Sequence, residues 1–486
     1  MVLDIPNGML DPAGYTSAEL VLHEPDRDVV RSASLVDGAF DFGRIDPSAS
    51  VAIEATLRND SGAAVGYGRT SVAAAFAGGA EIIVPVRRPI AYIAGTVSRD
   101  IGDEQTTVLS WTEVPATFSD LSIGASLDGN TQLGAQVVMM IAAGPSLYQV
   151  TQATSDPAGV LTGAATVTPV STADHAIGSP LPAELTGSVL DGAGSDDGGT
   201  LAIGTSAQLF AVDAAAGSAR ALVPGSFARV AILASDTGEL TAIAIRDRVP
   251  TNGPCAATAE LWWAPLGAAG APAHRIATGG FADLATDRGH AYYVDACTGE
   301  LGEVTESATR ALRTIVGKPT ALAVSNGQAY VGLEGQPDTT SLVVASLTSA
   351  DPPRVLWSEG AAQVLEVIDL PEVQRKLDST SVVISHLEVG AGGDYVALTT
   401  NAHFFAPALI QVRFPEMTID SEELRVFDAA TGGTVQRYRS WCDGFLTIDT
   451  GDIEDWACAT TPGQATAATA ELEHHIQSLA FQFGKK

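Results

Sequence analysis

A short hairpin recurs along this chain. "LASDTGEL" at 233–240, "LATDRGHA" at 284–291, "LAVSNGQA" at 322–329 and "VGAGGDYV" at 389–396 each place an apolar run, a polar turn with glycine, and a second strand-like run. Aligning the turns on Gly134, Gly199, Gly238, Gly289, Gly327, Gly393 and Gly444 gives unequal spacings. That pattern predicts one supersecondary unit repeated with loops of variable length.

The unit itself has four strands. At 184–225 they are "ELTGSVLDG", "GTLAIGTS", "QLFAVDAAAGS" and "ARALVPG". The same order fits "KPTALAVSNG", "QAYVGLEG", "SLVVASLTS" and "PPRVLWSEG" at 318–360, and again the stretch 381–440. Four-stranded antiparallel units repeated about an axis are the blades of a β-propeller, which closes on itself and so leaves few sheet edges. Six blades read cleanly between about 118 and 440. The tail adds "GFLTID", "WACATT" and "SLAFQF", and "TTVLSWTEV" at 106–114 would supply a fourth strand to clasp the ring as a seventh blade. Seven blades are expected, with six as the alternative.

Bulk properties agree with an all-β chain. Among 486 residues, 49 are glycine and 25 proline, so turn residues abound and long helical periodicity is scarce. The formal charge of −31 repels phosphate backbones and anionic lipid heads, which argues against nucleic acid and acidic membranes as partners. No run of about 18 apolar residues is present, so no helical span is expected. The start, "MVLDIPNGML", lacks the basic and apolar regions of a signal peptide; an exported protein would have lost its signal ahead of this numbering. The four cysteines suggest two disulfides, Cys442–Cys458 and Cys255–Cys297, with buried free thiols as the alternative and zinc disfavoured by spacing. Disulfides would imply an oxidising compartment: secreted, periplasmic or cell-surface.

Residues 1–88 read as a separate unit, 89–105 as a linker and 106–486 as the propeller. In the first unit, "AELVLHE", "VVRSASL", "GAFDFGRI", "SVAIEATLRN" and "EIIVPVRR" alternate apolar and polar residues over strand-length windows. Within "SLVDGAFDFGRIDPSASVAIEATLRNDSG", Asp37-Gly38 makes a turn, Phe40 and Phe42 share one face of a strand, and Pro47 opens the next turn. The segment 33–86 resembles the carboxypeptidase-regulatory-like (transthyretin-like) family. The resemblance implies an Ig/transthyretin-like β-sandwich serving as a stalk or spacer, with no catalytic residues to carry over. In the second region, "VFDAATGGTV" at 426–435 and "AVDAAAGSAR" at 211–220 resemble the broad secreted propeller group of NHL, YVTN and quinoprotein-like blades. That group hosts many activities, so function must be argued from sites.

Subtype signatures are missing. The G-H and W-D pairs of WD40 blades, the sialidase box and the quinoprotein tryptophan motif do not recur, nor is there a G-x-S-x-G elbow, a P-loop or H-E-x-x-H. "DGAGSDDGG" at 191–199 offers Asp191, Asp196 and Asp197 as a calcium loop, although the spacing departs from the alternation calcium loops use. No other cofactor is implied. Three inserts, 246–259, 359–380 and 401–420, fall in connections that share one rim of a propeller. "LPEVQRKLD" within the second would carry a short helix, and "HFFAPALIQVRF" within the third is unusually apolar. Large loops on a rigid scaffold commonly carry function, and aromatic and arginine side chains make interface anchors. The expected recognition residues are therefore His403, Phe404, Phe405, Arg413, Arg246 and Arg248. The expected function is a non-enzymatic exported protein binding a protein or glycan. The alternative is a propeller enzyme, either a metal-dependent lactonase-like hydrolase or a polysaccharide lyase, acting at the channel mouth.

Overall fold

The computed structural model describes residues 2–4, 16–24, 27–34, 51–58, 64–72, 82–87, 89–100, 103–113, 135–144, 146–154, 161–172, 176–235, 238–248, 255–267, 272–334, 339–360, 379–390, 393–406, 416–446, 453–460 and 474–483. Among them the chain is all-β.

The N-terminal strands are β1 (Val2–Asp4), β2 (Ser17–Glu24), β3 (Arg27–Ser34), β4 (Val51–Arg58), β5 (Ala64–Val72) and β6 (Ile83–Arg87). They form one sheet in the order β1-β6-β5-β4-β2-β3, with β1 parallel to β6. Because successive side chains alternate, Ala18, Leu20 and Leu22 bury on one face with Val51, Ile53, Ala55 and Leu57. The other face carries Glu19, Glu54, Arg58, Tyr67 and Arg69. Among the described residues this unit is a single sheet. The motif residues Asp37, Gly38, Phe40, Phe42 and Pro47 lie outside them.

The chain then enters β7 (Pro89–Asp100) and β8 (Asp103–Glu113). A three-stranded sheet follows, β9 (Ala135–Ala143), β10 (Ser146–Thr154) and β11 (Leu161–Val170). Four antiparallel sheets of four strands come next. The first is β12 (Val189–Gly194), β13 (Thr200–Thr205), β14 (Gln208–Asp213) and β15 (Ser218–Pro224). The second is β16 (Phe227–Ala234), β17 (Leu240–Arg246), β18 (Ala259–Pro265) and β19 (His274–Gly279). The third is β20 (Phe281–Asp287), β21 (His290–Asp295), β22 (Glu300–Val304) and β23 (Thr309–Thr314). The fourth is β24 (Lys318–Ser325), β25 (Gln328–Glu334), β26 (Thr339–Ser346) and β27 (Arg354–Gly360). A five-stranded sheet contains β28 (Ser379–Gly390), β29 (Tyr395–Ala406), β30 (Glu416–Asp428), β31 (Thr434–Leu446) and β32 (Ile453–Thr460). Last, β33 (His474–Phe483) pairs with β7, which pairs with β8.

The first strand of each sheet packs on the first strand of the next. β9 meets β12, and β12, β16, β20, β24 and β28 follow in turn; β28 meets β33, and β33 returns to β9. This cyclic order is that of blades about a propeller axis. Apolar clusters fill the spaces between sheets, as where Phe227 and Ile232 bury against Ala202 and Leu209 of the preceding sheet.

One detail repeats in every inner strand. Each ladder skips one residue, so that Val138, Leu190, Ala228, Ala282, Thr320, Ser385 and Gln477 are bulged. A bulge leaves its extra residue unpaired and increases local twist. Side chains just beyond it bind the neighbouring sheet. Val230 N–H donates to Asp191 Oδ2 (2.6 Å), Leu322 N–H to Asp283 Oδ2 (2.8 Å), and Met140 N–H to Ser478 Oγ (2.8 Å). The last of these joins the two ends of the ring.

Several expectations are corrected. Residues 89–105, expected as a linker, carry β7 and the start of β8, because "PIAYIAGTV" supplies an apolar strand for β33 to cover. "GFL" and "WACAT" extend the fifth sheet as the end of β31 and as β32, so the closing sheet takes only β33 from the tail. Gly444 lies inside β31 rather than at a turn, and Gly144, at φ +49°, makes the first hairpin. Of the stretch 401–420, residues 401–406 continue β29 and 416–420 open β30, while 407–415 lie outside the described residues. The helix expected around Val373 and Leu377 lies outside the described residues.

Candidate functional site

The inner strands enclose a cavity of about 1180 Å³. Its charged wall is set by the bulges. The residues immediately after them are Met139, Asp191, Arg229, Asp283, Ala321, His386 and Ser478, all lining the cavity. Two residues further along each strand stand Ile141, Ala193, Ala231, Ala285, Ala323, Glu388 and Ala480, again all on the wall. The first ring is mixed in charge. The second is apolar except for Glu388.

Arg229 sits between two carboxylates. Its Nε is 2.9 Å from Asp283 Oδ1, and its Nη1 donates to the bulged Ala228 carbonyl at 2.9 Å. Asp283 also accepts from Leu284 N–H at 2.9 Å. Burial works against the Arg229 charge, but Asp283 and Asp191 outweigh it and raise the guanidinium above its ordinary range. Burial lifts the Asp191 carboxyl to about 6, aided by Asp283 and opposed by Arg229 and backbone N–H donors. The commitments of Asp191 and Asp283 are thus largely structural.

Glu388 differs. Its side chain is open to the channel, and desolvation by the surrounding strands, then the charges of Asp191 and Asp283, push its carboxyl up to about 8. It is therefore mostly protonated at neutral pH. His386, two residues earlier on the same strand, holds Thr399 Oγ1 at 2.8 Å through Nδ1.

Arg248, at the far end of β17, reaches across the third sheet to the Thr320 carbonyl of the fourth (2.8 Å). Burial, then the neighbouring Arg229, lowers its guanidinium to about 10. Its Nε is buried with no hydrogen-bond partner among the described residues.

The N-terminal sheet meets the ring at the opposite end, where each first strand turns into its second. Arg58 Nη2 is 2.9 Å from Asp394 Oδ1, and Arg69 Nη1 is 3.6 Å from Asp196 Oδ2. Tyr67 packs with Ala91, Ile93 and Tyr395. Val51 and Arg69 line the same cavity as the inner strands, so this sheet forms its floor.

The expected calcium residues are not brought together. Asp191 faces the channel, Asp196 faces Arg69, and Asp197 closes its own hairpin by accepting from Ser195 Oγ (2.6 Å) and Gly199 N–H (2.9 Å). Those hairpin bonds hold the Asp197 carboxyl below the usual range. Among the described residues no group of three His, Cys, Asp or Glu side chains is placed to hold a metal ion. Arg246 lies 3.4 Å from Glu260. His403, Phe404 and Phe405 sit in β29 opposite Asp420, Ile419 and Thr418 of β30. Arg413 lies outside the described residues. Cys255 and Cys297 form a disulfide with a Cα separation of 5.4 Å, and Cys442 faces Cys458 in the β31–β32 ladder. No described helix is long and apolar enough to cross a membrane.

Sequence reasoning missed Arg229, Asp283, His386 and Glu388. Their signal was available in "FARVA", "FADLA", "PTALA", "ISHLE" and "IQSLA", which align residue for residue once the bulge is known.

No family model matches the chain, and no curated protein matches it. The solved structures similar to it are β-propeller-like proteins. Apo AztD from Citrobacter koseri is 12% identical, covering 82% of this chain and all of that one, with a TM-score of 0.38. The Pseudomonas aeruginosa periplasmic gluconolactonase PpgL is 10% identical, covering 77% of this chain and 100% of its own, with a TM-score of 0.34. A chain of a nidogen/laminin complex is 9% identical over 56% of this chain and 94% of its own, with a TM-score of 0.35. At such scores these likenesses carry no argument about activity, and the propeller arrangement rests on the sheet order described above.

Proposed function

We propose that the chain is an exported, non-enzymatic binding protein built as a seven-bladed β-propeller, recognising its ligand in the central channel and on the rim away from the N-terminal sheet. The observation that carries this reading is the floor. Val51 and Arg69 occupy the hairpin end of the cavity, which leaves the Arg248 end for entry. Strand direction puts the C-terminal ends of β17, β27 and β29 at that end. A rigid-walled cavity closed at one end suits selective capture. The N-terminal unit, residues 1–88, acts as a plug and spacer, and export agrees with the Cys255–Cys297 bridge.

The test is a calorimetric screen of small polar compounds and oligosaccharides against the full chain. Two variants separate the sites: Ala285→Phe, which fills the channel, and deletion of 407–415, which shortens the connection between β29 and β30. Binding lost on either change supports the reading. Compounds held equally by wild type and both variants would refute it.

A second reading is a propeller hydrolase. It is favoured by His386 and Glu388, which line the cavity two residues apart on one strand and pair a histidine with a proton-bearing carboxyl. Lactone hydrolysis followed by pH-stat, lost in both His386→Ala and Glu388→Gln, would favour it over binding.

A further inference from the structure

The ring of small side chains around Glu388 has a specific consequence. At the equivalent position of the other inner strands stand Ala193, Ala231, Ala285, Ala323, Ala480 and Ile141, so Glu388 is the only ionisable group in an apolar girdle. Local consistency broken at one position on a cavity wall is a mark of function rather than folding.

The charges facing the cavity are nearly matched without Glu388. Arg229 pairs with Asp283, and Asp191 lies in the field of Arg229 and Arg248. At the floor Arg69 reaches Asp196, and Arg288 lies in the field of Asp287. His290 and His386 complete the titratable lining. Glu388 has no hydrogen bond or ion pair among the described residues, and the charges that raise its carboxyl are the carboxylates of Asp191 and Asp283.

Resting on the channel-binding reading above, we propose that the channel takes a small organic cation, its ammonium at Glu388 and its hydrocarbon against the alanine girdle. A bare metal ion fits less well. It would want several oxygens, while Asp191 and Asp283 already accept backbone N–H groups. Methyl walls instead suit an alkyl chain, and a single carboxylate suits one ammonium.

Proton linkage makes the idea testable. With its carboxyl near 8, Glu388 is ionised in about 3% of molecules at pH 6.5 and in about 76% at pH 8.5, so affinity for a cation rises about 25-fold between them. An alkylammonium stays charged across this range. The experiment is calorimetry of the full chain with 1,4-diaminobutane and n-butylammonium, and with n-butanol and glucose as neutral probes. It is run at both pH values and in buffers of different ionisation enthalpy.

The expected result is saturable binding of the amines, at least tenfold tighter at pH 8.5, with proton release at pH 6.5. Glu388→Gln, which keeps the shape, would lose at least tenfold and the pH dependence. Equal amine binding by Glu388→Gln would overturn the proposal. So would tighter binding of the neutral probes with affinity falling as pH rises; in that case the channel reading survives and the ligand class fails. If no probe binds and the wider screen is equally blind to Ala285→Phe, both fail together.

Discussion

Replacing Asp283 by alanine tests whether the bulge-born ring holds the propeller together. Asp283 is 9% exposed and makes three bonds, from Arg229 Nε, Leu284 N–H and Leu322 N–H. Alanine strands the guanidinium beside Asp191 and leaves the Leu322 N–H without its acceptor. Breaking a buried pair by removing one partner costs about 3–5 kcal/mol, and because Asp191 still faces Arg229 the low end of that range is expected. Asn keeps an acceptor for one N–H but not the charge, so a loss of about 2–3 kcal/mol is expected. The double variant Arg229→Met/Asp283→Leu removes both charges and should lose only about 1–3 kcal/mol, the cost of the unpaired N–H groups. The assay is urea unfolding followed by the fluorescence of the six tryptophans, with m-values compared across the set. A loss below about 1 kcal/mol for Asp283→Ala would refute the reasoning. So would a double variant as unstable as the two single changes summed.

Other expectations follow from the same geometry. Cys255→Ala/Cys297→Ala opens a bridge spanning 42 residues, and chain entropy assigns it up to about 4 kcal/mol, read by unfolding with and without reductant. Gly144→Ala should unfold the first hairpin, since φ is +49° and a Cβ would meet the Asp196 carbonyl oxygen at 2.0 Å; circular dichroism and expression yield report it. Asp191 is protonated more readily in the folded chain than in the unfolded one, so stability falls as pH rises from about 4 through about 6, by at most about 3 kcal/mol; Asp191→Asn should flatten that slope in thermal unfolding across the window. Arg58→Ala removes a half-exposed contact to Asp394 and should cost no more than about 1 kcal/mol, while limited proteolysis between 73 and 88 speeds up as the N-terminal sheet loosens.

How much of this was legible in the chain can be seen in particular strands. "TLAIGT", "QLFAVD" and "TALAVS" alternate or run apolar between glycine turns, so strand content and the four-strand order at 189–224 and 318–360 were readable from local pattern. The tail was not. Whether "WACAT" joins the sheet before it or the closing one depends on which edge is free in space, and its alternation is the same in both cases. The stretch 401–406 misled for a related reason. Apolar residues beyond a usual strand length read as a loop that packs, when β29 and β30 simply continue.

The site shows the division most clearly. That Glu388 breaks a pattern kept by alanine in five of the other six inner strands is written in "ISHLE" against "FARVA" and "FADLA". That those positions face one channel follows only from the bulge, which shifts the strand's alternation by one residue, and from closure of the sheets into a ring. The Arg229–Asp283 pair lies 54 residues apart in the chain, and its carboxylate is fixed further by an N–H from Leu322. Local periodicity, a property of neighbouring residues, determined the strands. Charge pairing, the cavity and its floor come from contacts between sheets, whose energies depend on distance in space and leave no regular mark along the sequence.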